Sequence, residues 1–196
     1  MLAEARLVCG IDTAKQAIDY VTKAAKHNNI VAVNADACAL PFSDNSFTKA
    51  VSQDADAWLT LDKEKPTSEA FRVLRRNGLF VFQSYAQARK TDASTQRQTC
   101  QLLQSCGYRF TDVPTVYELE ALFASAGFVI VELRLLHELY SVDNERMLDR
   151  MAMNGPLLRT RFPRPLVDAI HSLLEWERSL FEAHLWTGVL IIAKKP

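Results

Sequence analysis

Two aspartates stand where a carboxylate can do chemistry. Asp12 closes the apolar run Arg6-Leu7-Val8-Cys9-Gly10-Ile11, and Asp36 closes Ile30-Val31-Ala32-Val33-Asn34-Ala35. An acid at the carboxyl edge of a parallel strand is an acceptor pair facing the crevice where α/β sheets bind ligands. The two acids lie 24 residues apart, which fits one helix plus one strand between two neighbouring strand ends. Further on, Gln53 follows a brief strand over Thr48 to Ser52, and His137 with Glu138 and Tyr140 follows the run Phe128 to Glu132. A glutamine there serves as a capping or loop amide, and a histidine past a strand as a surface or packing residue. Each is also placed to act on a substrate, the histidine as a base near neutral pH.

These side chains need a scaffold of alternating strands and helices. Arg6 to Asp12 suits a buried parallel strand. Thr13 and Gln16 form a capping-box pair, and Ala14, Ala17, Ile18, Val21 and Ala25 recur on one helical stripe, so a helix should run to about His27-Asn28-Asn29. Ile30 to Asp36 repeats the strand pattern, giving strand, helix, strand with parallel pairing. Leu40 to Phe47 reads as a turn-rich loop. The next helix should end in Phe71-Arg72-Val73-Leu74-Arg75-Arg76-Asn77-Gly78, its stop marked by Asn-Gly, with a strand over Leu79 to Gln83 directly after it. Ala86 to Gln98 reads as a polar segment. Thr115 and Glu118 open a second capped helix that stops at Gly127, and Phe128 to Glu132 is the strand it feeds. Val142 to Phe181 is mostly helical, interrupted by Asn154-Gly155-Pro156 and by Pro163 and Pro165, and Thr187 to Ala193 closes the sheet. The expected fold class is α/β: a Rossmann-like, doubly wound, mainly parallel sheet with an antiparallel last strand and a helical insertion over about 142–181, in a single domain over 1–196.

Composition bounds the partners. With 23 basic and 23 acidic residues among 196, the chain carries no surplus positive charge of the kind that phosphate backbones require. No apolar stretch is long enough to span a bilayer, and Met1-Leu2-Ala3-Glu4-Ala5-Arg6 lacks the pattern of a signal peptide, so the expected address is cytoplasmic, with no nucleic acid and no membrane partner. Cys9, Cys38, Cys100 and Cys106 show no metal-ligand spacing, and no metal is expected. Cys9 and Cys38 read as small core residues, and Trp176 and Trp186 as packing aromatics.

Three separated motifs, in order, resemble those of class I S-adenosylmethionine-dependent methyltransferases of the small-molecule type. Gly10-Ile11-Asp12-Thr13-Ala14 is similar to the end of the family's second strand, and Asn34-Ala35-Asp36-Ala37 with Leu40-Pro41-Phe42-Ser43-Asp44-Asn45-Ser46-Phe47 to its acid-alanine and leucine-proline-phenylalanine string. Arg72-Val73-Leu74-Arg75-Arg76-Asn77-Gly78 is similar to the turn before its fifth strand, a structural element. The likeness spans roughly residues 7 to 132 plus the last strand. It implies S-adenosyl-L-methionine as cofactor, with Asp12 and the adjoining Thr13 at the ribose hydroxyls, Asp36 at the adenine amino group and the Ala37 amide facing the ring. It implies a small-molecule methyl acceptor beside Gln53, with His137 as a second catalytic candidate. Ser52-Gln53-Asp54-Ala55 and Trp186-Thr187-Gly188-Val189-Leu190 are reminiscent of methyltransferases acting on glycine-derived amines.

The family's first strand and glycine-rich turn precede the second strand by some twenty residues, and only six residues precede Leu7 here, so that first strand is expected to be absent. Alternatively, Cys9-Gly10-Ile11-Asp12 is itself the first motif. Loss of the central strand leaves two rows of backbone groups without partners. Then the flanking strands close on each other, or a second chain fills the gap, as in a homodimer or a pairing with a complete methyltransferase, or the sequence is an incomplete gene product. Two rival functions stay open: a non-catalytic interaction protein, and a nucleotide-binding oxidoreductase whose acid takes a dinucleotide ribose.

Overall fold

The computed structural model describes residues 5–25, 29–55, 62–108 and 113–196. The elements run β1 (Val8–Asp12), α1 (Lys15–Ala24), β2 (Ile30–Asn34), β3 (Phe47–Gln53), α2 (Glu64–Val73) and β4 (Leu74–Gln87). They continue as α3 (Ala93–Ser105), α4 (Val116–Ser125), β5 (Val129–Leu135), α5 (His137–Arg161), α6 (Arg164–Glu182) and β6 (Trp186–Lys194).

The strands form two sheets. β1 and β2 pair in parallel, Val8 opposite Ile30 through Asp12 opposite Asn34. The other sheet has the order β3-β4-β6-β5, in which β3 and β4 are parallel and β6 runs antiparallel to both its neighbours. Parallel and antiparallel pairings are thus evenly divided. The expected antiparallel last strand is β6, a position a helical hairpin reaches by returning the chain between β4 and β5. β1 and β3 do not close on each other; among the described residues each has a strand on one side and none on the other.

Alternation along β4 divides its side chains between two cores. Phe80, Phe82 and Ala86 point with Val189, Ile191 and Ala193 of β6 toward Leu119, Leu122 and Phe123 of α4. The Phe80 and Phe123 rings stack at 5.4 Å. On the opposite face Tyr85 and Trp186 meet Tyr140, Leu180 and Phe181 of the α5–α6 pair. α1, by contrast, buries none of its residues, and Tyr20 is 72% exposed.

Local signals explain several boundaries. Thr115 Oγ1 accepts from Glu118 N–H while Glu118 Oε2 accepts from Thr115 N–H, the expected reciprocal cap of α4. The Thr13–Gln16 pair does not cap α1: the N-cap position falls at Ala14, whose N–H is taken by Asp12 Oδ1 at 2.7 Å in a local turn. The end proposed for that helix at His27-Asn28 lies outside the described residues; its last turn closes with Ala25 N–H on Val21 O. α2 ends at Val73, five residues before the expected Gly78, because Leu74 is extended and already paired with Phe47. Arg75 and Arg76 therefore lie in β4, and Asn77 supplies the left-handed residue (φ 64°) of a turn within the strand's course. The Ala86 to Gln98 segment holds the start of α3, whose N-cap Asp92 takes the Ser94 and Thr95 N–H groups. α5 continues through Asn154-Gly155-Pro156, and the break falls at Phe162-Pro163. Cys9 and Cys38 are only half-buried.

Candidate functional site

The carboxyl ends of β1 and β2 bring the two acids to one edge. Asn34 Nδ2 donates to the Asp12 carbonyl at 2.9 Å and the Thr13 carbonyl at 3.0 Å, and Ala35 N–H reaches the Asp12 carbonyl at 3.1 Å. The Asp12 and Asp36 carboxylates are both exposed. Each has one oxygen held by a backbone amide two residues on, Ala14 for Asp12 and Cys38 for Asp36 at 2.8 Å. Their Oδ2 atoms have no described partner and stay available as acceptors. Thr13 is exposed beside Asp12, and Ala37 is half-buried within the turn that Asp36 makes.

The loop carrying Asp36 and Ala37 is anchored by Arg72. Its guanidinium donates to the carbonyls of Leu40 at 3.0 Å and Phe42 at 2.7 Å, to Asp44 Oδ1 at 2.8 Å, and to both oxygens of Glu69. Glu69 Oε2 also accepts the Leu40 N–H at 2.6 Å. Those donors, Arg72 above all, hold the Glu69 carboxyl below its usual range. Arg72 thereby joins two motifs separated in sequence. Lys195 completes the anchorage, donating to the Phe71 and Leu74 carbonyls at the end of α2 and to Asn45 Oδ1.

A second polar group occupies the carboxyl ends of β3 and β4. Tyr140 Oη donates to Asp54 Oδ1 at 2.7 Å and accepts from Gln83 Nε2 at 3.2 Å. Asp54 leaves β3 in the left-handed region (φ 47°), which an aspartate tolerates and which turns the chain back so that its N–H meets the Gln83 carbonyl. Tyr85 lies edge-on against Tyr140, ring centres 4.8 Å apart. Partial burial raises the Asp54 carboxyl, and the Tyr140 hydroxyl opposes that rise. Burial pushes both phenols up, so Tyr140 remains a donor throughout the working pH range. Tyr140 fits here because of Gly188, directly opposite Tyr85: a Cβ on Gly188 would come within 2.0 Å of the Tyr140 ring.

Of the two expected acceptor-side residues, Gln53 adjoins Asp54 with its side chain exposed. His137 opens α5, its Nδ1 3.2 Å from the Trp186 carbonyl and its ring 4.5 Å from that of His184. It packs beside Phe181, one turn from Tyr140. Asp54, Gln83 and Tyr85 are the members of this cluster not singled out from sequence; the signal was an acid and amides at the ends of two consecutive strands. A carboxylate partly stripped of water and flanked by tyrosines can hold a cation or take a proton.

Residues 1–82 match a family model described as a methyltransferase domain. In solved structures the same architecture recurs in a protein of Galdieria sulphuraria assigned as a sarcosine dimethylglycine methyltransferase, at TM-score 0.85 and 16% identity. The fold is that of a class I methyltransferase. The Galdieria likeness covers 96% of this chain and 69% of the other. Phosphoethanolamine N-methyltransferase 2 of Haemonchus contortus, solved with phosphomonomethylethanolamine and S-adenosylhomocysteine, follows at TM-score 0.79 and 18% identity, over 96% of this chain and 43% of that one. The cyclopropane synthase MmaA2 of Mycobacterium tuberculosis superposes at 0.85 with 13% identity, over 99% and 72%. No curated protein matches in sequence. No helix of the described residues is long and apolar enough to cross a membrane.

Proposed function

We propose that the chain serves S-adenosylmethionine-dependent methyl transfer to a small-molecule amine. The observation that carries this reading is the placement of Asp12 and Asp36 at the carboxyl edge of the parallel β1–β2 pair, with Asp54 at the carboxyl end of β3, which is parallel to β4 in the other sheet. The donor chemistry fits the nucleoside half of the cofactor. Asp12, with Thr13 beside it, would accept from the ribose hydroxyls, and Asp36 from the adenine amino group, with the Ala37 amide facing the ring. When bound, the cofactor supplies an electrophilic methyl group on a sulfonium.

The rest falls to the acceptor side. A protonated amine must lose a proton before its nitrogen can attack, and Asp54, raised by burial and oriented by Tyr140, is the group we assign to hold the ammonium and receive that proton. Gln53 adjoins it as an amide able to orient the acceptor. His137, its Nδ1 3.2 Å from the Trp186 carbonyl and one turn before Tyr140, is the second group we assign to the acceptor side. That the Galdieria and Haemonchus proteins are named for amine methylation supports this acceptor class.

Calorimetry with S-adenosylmethionine tests the cofactor half. Saturable heat reduced at least tenfold in affinity by Asp12→Asn is the expected result, and no heat from folded protein, or heat from NAD instead, removes the reading. One observation favours a second reading, in which the chain acts paired with a copy of itself or with another methyltransferase: β1 and β3 each offer an open edge. A dimer in sedimentation equilibrium that Ile11→Lys dissociates is the expected sign of it, and a monomer at all concentrations excludes the homodimer.

A further inference from the structure

Away from the strand ends, α5 and α6 flank an open groove of about 380 Å³. Met147, Met151, Leu157, Leu158, Ile170 and Leu174 supply its apolar wall. Leu174 is 4% exposed, yet Met147 and Leu157 are 45% and 51% exposed, so the floor is sealed while the upper wall meets water. The volume falls within the range of small-molecule pockets, about 300–1,000 Å³. Methionine side chains adapt their shape to an irregular apolar guest.

Arg150 is the one charged residue among those lining the groove. Between Asp149 and Asp168 the chain carries four arginines and no acid. Arg159 and Arg164 share Asp168, at 2.9 and 3.5 Å. Arg150, which lines the groove, has no ion-pair partner among the described residues, and neither has Arg161. Positions 147, 150, 151, 154, 158 and 161 recur at helical spacing on one side of α5, so the free guanidinium groups and the apolar wall belong to one face. Asn154, which also lines the groove, is tied by its Nδ2 to the Arg150 carbonyl at 2.9 Å.

We propose that this groove binds a single-chain anionic amphiphile of the fatty-acid class, its hydrocarbon chain against the methionine and leucine wall and its carboxylate on Arg150. An apolar trough rimmed by unpaired guanidinium complements a ligand that is apolar along its length and anionic at one end. Arginine binds a carboxylate through two parallel hydrogen bonds, an arrangement a neutral or cationic amphiphile cannot use. The site is separate from the carboxylate edge and does not depend on methyl transfer.

Calorimetry with laurate below its micellar concentration tests this, with dodecyltrimethylammonium as the cationic match in chain length. The expected result is one saturable site for laurate, at least tenfold weaker binding of the cation, and at least tenfold loss of laurate affinity in Arg150→Glu. Met147→Glu, at an exposed wall position, should give the same loss with an unchanged circular dichroism spectrum. Absence of laurate binding, equal binding of the cation, or retention of affinity in both variants overturns the assignment. So does sedimentation with phosphatidylglycerol vesicles without binding of free laurate, which would make the face a bilayer contact.

Discussion

Asp54 and Tyr140 are 86 residues apart in sequence and 2.7 Å apart in the fold, and the chemistry of each depends on the other. The carboxyl is raised by desolvation and restrained by the phenol, so Tyr140→Phe, which removes only the hydroxyl, should raise it further. A carbon-detected NMR titration of the Asp54 carboxyl checks the direction; an unchanged or lowered midpoint contradicts the assignment. A lost hydrogen bond to a charged group costs about 1.5–3 kcal/mol, so the same variant should lower kcat/KM for an amine acceptor roughly ten- to hundredfold. Affinity for S-adenosylmethionine should not change. Asp12 and Asp36 were legible from sequence because each follows directly from the strand it terminates. The Asp54–Tyr140 pair was not, because it exists only once α5 packs across β4 and β6.

The same distinction between local and distant causes holds for whole elements. The Thr115–Glu118 cap forms because both partners lie within one turn, with no nearer competitor. The Thr13–Gln16 pair fails because the helix starts one residue later than the pattern requires, with Ala14 at the N-cap position and Asp12 holding the Ala14 N–H. Pro156 reads as an interruption, yet α5 passes through it, and the turn after it is tied to α6 by the Arg159–Asp168 ion pair. The extent of β4 was hidden for a similar reason: Leu74 is drawn into the strand by Phe47, a partner far away in sequence. Tertiary contact at Gly188 gives the sharpest prediction at this scale. Gly188→Ala forces a methyl into the Tyr140 ring, and overpacking of this kind costs about 1–3 kcal/mol. Urea unfolding should show that loss, and Tyr140→Ala in the same background should restore part of it.

For the molecule as a whole, the α5–α6 pair carries a buried acid. Glu177 is 7% exposed, its carboxyl contacted by Asn144 Nδ2 at 3.2 Å, and burial lifts it from 4.5 to about 7. An acid whose folded value is raised binds its proton more tightly in the native state. Below about pH 4.5 both states are protonated and nothing is lost; between 4.5 and about 7 the unfolded chain ionises first and stability falls; above 7 the loss is complete. The total is on the order of 3 kcal/mol. Glu177→Gln should abolish that decline in chemical unfolding between pH 5 and 8, and a parallel decline in the variant contradicts it.

α1 rests on β1 and β2 with no residue of its own fully covered, so the segment bearing Asp12 and Asp36 gains little from leaving water and opens at a small fraction of the global unfolding free energy. A ligand that grips those two acids must first select the closed form, and its measured affinity is lowered by the closed fraction. Amide hydrogens of Val8–Asp12 and Ile30–Asn34 should therefore exchange well before those of Phe80 and Phe82, and saturating S-adenosylmethionine should slow the first set alone.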